Sequence, residues 1–291
     1  MKIAITGSTG FIGQHLLKVL FNNEQYTIIP LDRSKGFDIT NIDTLKSLES
    51  EVDYIIHLAA KTFTPDSYKH ARDFIEVNAQ GTANVLELAR IKKAKLLYVS
   101  SYVYGPPKYL PIDEKHPVDM FNPYSASKLF GEQMCQLYAT SLDVPVVVIR
   151  PFNVYGPGHG SHFLLPKIIK QAQTGEVNLI DPRPKRDYIY ISDLIDLISK
   201  VIEHDFDKPL EIFNAGTGKS HSIHELVETI KGTGLIDTDF KVRFSHEYRT
   251  NEVLDTVASI EKGKNELGWE PKITLEQGIT LMIKKMKAIG I

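Results

Sequence analysis

Three glycines, each three residues from the next, follow the first apolar run of the chain. Gly7, Gly10 and Gly13 come directly after Lys2–Thr6 and open an amphipathic stretch. A glycine at the first position permits a tight turn, and one at the last position lets the following helix pack closely on the strand. The pattern therefore predicts a chain that begins with a strand, a tight turn and a helix, in that order.

Short β-branched runs alternate with amphipathic stretches over the first half of the chain. The predicted strands are Lys2–Thr6, Thr27–Leu31, Tyr54–Leu58, Leu96–Ser100 and Val144–Ile149. The predicted helices are Phe11–Phe21, Asn41–Leu48, Phe74–Arg90 and Tyr124–Ser141. Because these runs are nearly all apolar, the strands are expected to be covered on both faces. The order predicts an α/β fold with a Rossmann-type, doubly wound parallel sheet, whose ligand crevice lies at the carboxyl ends of the strands.

The rhythm changes after about Arg150, where helical stretches mix with short isolated strands. These later helices are predicted at Leu164–Gln173, Ser192–Glu203, Ile223–Lys231 and Leu275–Lys287. We interpret residues 1–150 as the Rossmann domain and residues 151–291 mainly as a smaller α/β lobe that binds substrate over the crevice. Some segments of this lobe are expected to return to the first sheet.

Composition excludes several classes of protein. Lys plus Arg total 34 and Asp plus Glu total 36, a net charge of −2, which leaves no global positive field for nucleic acid or an anionic membrane. The single cysteine, Cys135, excludes an intramolecular disulfide and a cysteine-based zinc site. No carboxylate–histidine cluster indicates a metal. No stretch reaches the roughly 18–20 apolar residues of a membrane span, and no signal peptide follows Lys2, so a cytoplasmic location is expected.

The glycine turn also has the features of a phosphate site. Gly10 lets the backbone approach a pyrophosphate, and the helix that follows offers free N–H groups and the positive end of its dipole. Asp32 ends the second predicted strand, where a carboxylate accepts hydrogen bonds from an adenosine ribose and repels a 2′-phosphate. We therefore expect a dinucleotide cofactor, NAD. NADP is the alternative, because Arg33 can pair with a 2′-phosphate.

Tyr124 and Lys128 have a spacing that places both side chains on one face of a helix. Asn122 can cap this helix and Pro123 suits its first position, so Tyr124 falls in the first turn. A phenol with a pKa of ~10 is a poor base at neutral pH. A nearby lysine and an oxidised nicotinamide would stabilise the phenolate and lower that pKa.

Two serines complete the candidate catalytic group. Ser100 and Ser101 end the fourth predicted strand, at the edge of the sheet where this architecture places chemistry. A hydroxyl at this edge can donate to a substrate oxygen while Tyr124 transfers the proton.

These motifs together resemble the extended short-chain dehydrogenase/reductase family, and specifically its nucleotide-sugar epimerases, dehydratases and reductases. The matching segments are the glycine turn, His57–Ala60, Asn78, Val99–Gly105, Tyr124–Lys128, Arg150–Pro157, Arg186–Tyr188, Asn214–Gly216 and Leu267–Pro271. The resemblance implies hydride transfer at a sugar carbon and a homodimer formed through two long helices of each subunit.

The resemblance also implies a role for each matching residue. Ser100 matches the catalytic hydroxyl, Tyr124 the acid/base and Lys128 its partner. The implied cofactor-binding residues are Gly7, Thr9, Gly10, Phe11, Ile12, Gly13, Asp32, Arg33, Asp38, Ile39, Leu58, Ala59, Ala60, Asn78, Tyr124, Lys128 and Phe152. The implied substrate-binding residues are Ser101, Asn153, Arg186, Arg249 and Glu252, with both arginines on the diphosphate and Glu252 on the ribose. His57 is interpreted as a packing residue, and His159 and His162 as loop residues near the sugar.

Departures from the family pattern reduce the set of reactions expected of this chain. Dehydratases of this family carry an Asp-Glu pair after the catalytic hydroxyl, where this chain has Ser101 and Tyr102, so dehydration is not expected. The leading interpretation is an NAD-dependent nucleotide-diphosphate-sugar 4-epimerase, which Pro106–Glu114 and Tyr155–Gly158 favour. The alternatives are an NAD(P)H-dependent 4-keto-6-deoxy nucleotide-sugar reductase, which the compact second half favours, and a non-catalytic NAD(P)-sensing module.

Overall fold

The computed structural model describes residues 1–248 and 252–288. Its strands are β1 (Lys2–Thr6), β2 (Thr27–Leu31), β3 (Tyr54–His57), β4 (Lys95–Val99), β5 (Val146–Pro151), β6 (Asn153–Tyr155), β7 (Glu176–Leu179), β8 (Lys185–Tyr190), β9 (Leu210–Ala215), β10 (Ser220–Ser222) and β11 (Lys241–Phe244). Its helices are α1 (Phe11–Leu20), α2 (Ile42–Lys46), α3 (Thr64–Lys69), α4 (Ala71–Phe74), α5 (Gly81–Lys92), α6 (Pro123–Ser141), α7 (Leu164–Ala172), α8 (Ile191–Glu203), α9 (Ile223–Gly232), α10 (Glu261–Leu267) and α11 (Leu275–Ala288).

The main sheet has six parallel strands in the order β2-β1-β3-β4-β5-β9. Its strands are covered on both sides: Ile5 and Ile56 belong to one buried cluster, whereas Ala4 and Ile55 belong to the other. The α/β fold with a Rossmann-type, doubly wound parallel sheet is thereby confirmed. The chain runs from β1 to β2 on one side of β1 and then returns to β3 on the other side. The carboxyl ends of these strands therefore open a crevice between them.

The second half of the chain contributes to more than one layer. Its strand β9 pairs with β5 and extends the main sheet. Strands β10, β8 and β6 form a second sheet, and β11 pairs with β7 in a third. Within residues 1–248 and 252–288, no helix is long and apolar enough to cross a bilayer.

One predicted helix, Phe74–Arg90, is divided in the structure. A π-helical turn, Ile75–Gln80, lies between α4 and α5. Within it, the carbonyl oxygen of Asn78 accepts a hydrogen bond from the Thr82 hydroxyl at 2.5 Å. A π turn inserts one extra residue at a single point, and the apolar pattern on either side of it remains helical, so the stretch was predicted as one helix.

The start of α6 follows the prediction. Asn122 caps it: its side-chain oxygen accepts from the Ser125 N–H at 2.8 Å, while the Ser125 hydroxyl accepts from the Asn122 N–H at 3.0 Å. Pro123 is the first helical residue, a position at which its missing N–H costs nothing. This cap places Tyr124 at the mouth of the crevice, in the first turn.

A buried ion pair joins α6 to β5. Arg150 donates to the Glu132 carboxylate through Nε and Nη2, the latter at 2.6 Å from Oε2, and the two side chains are 5% and 6% exposed. Arg150 Nη1 also donates to the Tyr104 hydroxyl at 3.1 Å, and that hydroxyl donates to the Asn214 side chain at 2.6 Å. One network thus connects α6, β5, the segment after β4 and β9.

Removing one partner of this pair should destabilise the fold strongly. We expect Arg150→Met to lower the free energy of unfolding by about 3–5 kcal/mol, because it leaves the Glu132 carboxylate buried without a counter-charge. The double variant Glu132→Leu, Arg150→Met buries no charge and should recover most of that loss. Urea unfolding followed by circular dichroism measures both. A single variant within about 0.5 kcal/mol of the unmodified protein would show that the pair is not structurally important.

Candidate active site

The glycine turn between β1 and α1 is tightly closed. Gly7 has a φ of +69°, and a Cβ there would lie 2.6 Å from the backbone nitrogen of Ala59. A Cβ on Gly13 would lie 2.4 Å from the carbonyl oxygen of Gly7. Gly10 is the N-cap of α1 and no side chain bonds the first turn, so the N–H groups of this turn are available to an anion.

A groove of about 430 Å³ runs along this turn and the ends of β2 and β3. It is lined by Gly7, Thr9, Gly10, Leu31, Asp32, Arg33, Ser34, Phe37, Ile39, Leu58, Ala59, Ala60, Lys61 and Val77. Most of the cofactor residues predicted from the sequence are therefore brought together. Phe11, Ile12 and Gly13 form the first turn of α1 beside the groove, and Asp38 precedes Ile39. The free amides and the small residues around them fit a dinucleotide pyrophosphate.

The adenosine end of the groove contains a buried carboxylate. Asp32 is 7% exposed and accepts a hydrogen bond from the Ser8 hydroxyl. The sequence analysis did not single out Ser8, because nothing in a local pattern pairs a turn residue with the end of the next strand. Arg33 is largely exposed and its Nε lies 3.8 Å from Asp38 Oδ2. The Asp38 carboxylate thus partly balances the charge of Arg33. Asp32 lines the groove and keeps its hydrogen bond to Ser8.

Tyr124 and Ser101 are neighbours just after the last residue of β4, where the Ser101 hydroxyl acts on the Tyr124 phenol. Ser100 is 4% exposed, and its buried hydroxyl has no hydrogen-bond partner among the described residues. A buried hydroxyl without a partner costs free energy, so Ser100 is suited to bond a group that enters the site.

Lys128 lies deeper than the sequence suggested. It is 2% exposed, its Nζ donates to the Val99 carbonyl at 2.8 Å, and it sits 4.3 Å from the centre of the Tyr98 ring. Burial lowers the pKa of Lys128 to about 7, against the opposing effect of Glu132. Its ammonium is thus held at the end of β4, one helical turn from Tyr124.

The protein groups alone do not lower the pKa of Tyr124. Burial raises the pKa of this phenol above its ordinary value, and the nearby Ser101 hydroxyl opposes that effect only in part. The Lys128 ammonium donates to the Val99 carbonyl instead of the phenol. The lowering expected from Lys128 together with an oxidised nicotinamide stays a prediction.

Asn78 acts through a neighbouring segment. Its amide nitrogen donates to the Lys61 carbonyl and to the Ser127 hydroxyl, both at 2.9 Å, and its oxygen accepts from the Lys61 N–H at 2.8 Å. Asn78 therefore fixes the wall of the groove against α6. Phe152 is buried and meets the Tyr102 ring edge to face at 5.3 Å, outside the groove lining. Its contact with the nicotinamide stays a prediction.

A second pocket, of about 330 Å³, lies in the C-terminal half of the chain. It is lined by Asn153, Val154, Tyr155, His159, Phe163, Leu164, Leu165, Lys167, Leu179, Ile180, Asp181, Pro184, Arg186, Tyr188, Ile223, Glu247 and Glu252. Three predicted substrate residues, Asn153, Arg186 and Glu252, thus share one pocket. Arg249 lies outside the described residues. Lys167 and Asp181 were missed by the sequence analysis, because they come from separate elements and belong to no motif.

Arg186 is held firmly at this pocket. Its Nη2 donates to Glu252 at 2.5 Å and its Nη1 to the Val253 carbonyl at 2.6 Å. Asn153 donates to the carbonyl of Asp187, the next residue of β8, at 3.1 Å. The charge of Arg186 also acts on the Tyr102 phenol, whose pKa burial raises. Because Tyr102 follows the two serines, the pocket and the catalytic group are neighbours.

Comparison with known proteins shows the family to which this chain belongs. A family model described as the NAD dependent epimerase/dehydratase family matches residues 3–216. The chain belongs to this family. It is 30% identical to a putative UDP-glucose 4-epimerase of Methanocaldococcus jannaschii, over 98% of both chains. It is 31% identical to UDP-glucuronic acid decarboxylase 6 of Arabidopsis thaliana, over 97% of this chain and 88% of the relative.

A solved structure gives the same result. The UDP-glucuronic acid 4-epimerase of Bacillus cereus, in complex with UDP-glucuronic acid and NAD, has a TM-score of 0.90 and 25% identity, covering 99% of this chain and 100% of that one. Nucleotide-sugar reductases are also among the relatives. The resemblance to the extended short-chain dehydrogenases/reductases is confirmed, and with it an enzyme of an NAD(P)-dependent nucleotide-sugar family.

Asp32 should determine which cofactor binds. We expect Asp32→Ala to reduce the preference for NAD over NADP about 10-fold or more, because it removes the ribose acceptor and the repulsion of a 2′-phosphate. Calorimetric titration with both cofactors measures the ratio, and Glu49→Ala, an exposed carboxylate outside the groove, is the control. If the unmodified protein already prefers NADP, Arg33 and not Asp32 determines the cofactor preference.

Proposed function

We propose that this protein is an NAD-dependent nucleotide-diphosphate-sugar 4-epimerase. The observation that carries the proposal is the composition of the catalytic group. The Ser101 hydroxyl acts on the Tyr124 phenol, the Ser100 hydroxyl has no partner among the described residues, and Ser100 is followed by Ser101 and Tyr102 rather than by an acid pair. Such a group supports removal and return of one proton at one hydroxyl oxygen, whereas elimination of water needs a further acid and base.

The roles of the side chains follow from their positions. NAD⁺, when bound, supplies the hydride acceptor and a positive charge near the phenol, which favours the phenolate. The free hydroxyl of Ser100 bonds the 4-oxygen of the sugar, and Tyr124 takes the proton from that oxygen. Lys128, fixed by the Val99 carbonyl, holds the nicotinamide ribose. The same phenol returns the proton after the keto sugar has turned its other face to the cofactor.

The cofactor preference bears on the choice between an epimerase and a reductase. An epimerase regains its NAD⁺ at the end of each turnover, whereas a 4-keto reductase consumes NADH or NADPH. Asp32, buried and bonded to Ser8, favours NAD over NADP and so argues against an NADPH-dependent reductase. The reaction test below distinguishes the epimerase from an NADH-dependent reductase.

The second pocket is proposed to anchor the nucleotide diphosphate. Arg186 is a fixed guanidinium at its wall, and charge-assisted hydrogen bonds to phosphate are among the strongest available. Arg249 is proposed to bind the same diphosphate, and Glu252 the ribose. An anchor on the diphosphate leaves the sugar free to rotate, as epimerisation requires.

The reaction itself is the first test. Purified protein with UDP-, dTDP- and GDP-hexoses should form the 4-epimer, detected by the anomeric proton signals, with no net change in NADH absorbance. Tyr124→Phe should keep the fold and the cofactor but lower turnover by at least ~10²-fold, since it removes the proton carrier and keeps the ring. The control is Tyr138→Phe, on the same helix.

Other products would point to other members of the family. Net consumption of NAD(P)H with a 4-keto sugar would indicate the reductase. Release of CO₂ from a nucleotide uronic acid would indicate a decarboxylase. Near-normal turnover by Tyr124→Phe would remove this residue from the mechanism.

Arg186→Ala should weaken binding of UDP or a related nucleoside diphosphate by roughly 1.5–3 kcal/mol, the worth of a hydrogen bond to a charged group. NAD affinity should hardly change, because its pyrophosphate binds at the glycine turn. Calorimetric titration of Arg186→Ala with UDP and with NAD measures both affinities. Arg243→Ala is the control, an exposed arginine outside the pocket.

If Arg186 and Arg249 bind one diphosphate, the double Arg186→Ala, Arg249→Ala variant should be non-additive. Unchanged affinity for every nucleoside diphosphate would contradict the placement of these arginines.

A further inference from the structure

A loop of the C-terminal half, residues 156–163, packs on the start of α1. His159 of this loop stacks on Phe11, with ring centres 4.6 Å apart and planes 15° apart, and on Phe163, at 3.9 Å and 22°. A ring nitrogen of His15 shares a hydrogen bond with the Pro157 carbonyl at 2.8 Å. Since Phe11 directly follows the glycine turn, His159 lies where the cofactor groove and the second pocket approach each other.

The Nδ1 atom of His159 is buried and has no hydrogen-bond partner among the described residues, although the residue lines the second pocket. His57 shows the contrast. Both of its ring nitrogens are bonded, to the hydroxyls of Thr6 at 2.7 Å and Thr82 at 3.0 Å. His57, a packing histidine, thus has a protein hydrogen-bond partner for each ring nitrogen. A buried polar atom without a partner costs about 1–3 kcal/mol, so a partner is expected in the functional complex.

The charge state of the His159 imidazole restricts the chemistry of its hydrogen-bond partner. Burial, together with the neighbouring His162, lowers the pKa of His159 to about 4, so the ring is neutral at physiological pH. The pocket already contains cationic side chains for phosphate, Arg186 and Lys167. A neutral ring nitrogen next to them is better matched to a hydroxyl than to a phosphate.

We propose that His159 is a sugar-contacting residue, whose Nδ1 forms a hydrogen bond with a neutral hydroxyl of the hexose while Phe11 and Phe163 hold the ring in place. The identity of the ligand rests on the proposed function. The position of the contact rests on the stacked geometry, the unpartnered nitrogen and the pocket lining.

Two variants separate contact from packing. His159→Phe keeps a stacked ring and removes the nitrogen, whereas His159→Asn keeps a polar atom near the position of Nδ1 and removes most of the ring. We expect the Phe variant to lose about 10-fold or more in affinity for UDP-glucose and to raise KM more than it lowers kcat. The Asn variant should retain most of the affinity. The control is His162→Phe, in the same loop but outside the pocket lining.

The affinity is measured by calorimetry on the NAD-loaded protein, with UDP-glucose and with UDP. All variants should bind UDP equally, because UDP lacks the sugar. A Phe variant that matches the unmodified protein, with an Asn variant that loses affinity for both ligands, would show a packing role and overturn the proposal. A Phe variant that loses only NAD affinity would make the cofactor the partner, which also overturns it.

The proposed reaction can fail separately. Unmodified protein that binds UDP-glucose without epimerising it would contradict the epimerase, while the binding comparison would still decide the role of His159. Unmodified protein that binds UDP but no nucleotide sugar would contradict both.

Discussion

The ion pair between Arg150 and Glu132 joins the parts of the molecule on which the candidate active site depends. Both side chains are almost fully buried, and burial of two charges is repaid only when their hydrogen bonds are well formed. Here the Glu132 carboxylate accepts hydrogen bonds from two guanidinium nitrogens, and the third nitrogen, Nη1, donates to the Tyr104 hydroxyl. Glu132 lies one helical turn beyond Lys128, which itself follows Tyr124 by one turn. The pair therefore sets the position of the catalytic helix against β5 and the strand-end serines.

The same network extends into the second half of the chain. Tyr104 donates to Asn214 at the end of β9, and the Asn214 N–H donates to the Glu114 side chain at 2.8 Å. Asp187 acts similarly in the second sheet, where its carboxylate accepts from the backbone of Thr217 and Ala258 at 2.7 and 3.1 Å. Buried carboxylates with several donors thus hold the loops around the second pocket. The proposed catalysis by a phenol and a hydroxyl depends on this rigidity, because a small misplacement of the reacting groups lowers the rate steeply.

Much of the fold and part of the site could be predicted because their signals are local. The five strands of the first half, the cap at Asn122 and the glycine turn all depend on residues close together in sequence. The π turn at Ile75–Gln80 could not be predicted, because the apolar pattern is helical on either side of it. Nor could the partner of Asp32, because Ser8 is 24 residues away in sequence and follows the neighbouring strand. The burial of Tyr124, which raises the pKa of its phenol, could not be predicted either, because burial depends on the surrounding packing.

The sequence by itself determined the local geometry of the candidate site. Residue types at set spacings place glycines at a tight turn before a helix, a carboxylate at the end of the second strand, and a tyrosine one helical turn from a lysine. These relations depend only on the geometry of a strand, a turn or a helix. Only the tertiary structure decided which charges are buried, which polar atoms are satisfied and which distant residues share a pocket. Ser100 and His159 show this: the sequence named both as candidates, but only folding shows that each has a buried polar atom without a partner among the described residues.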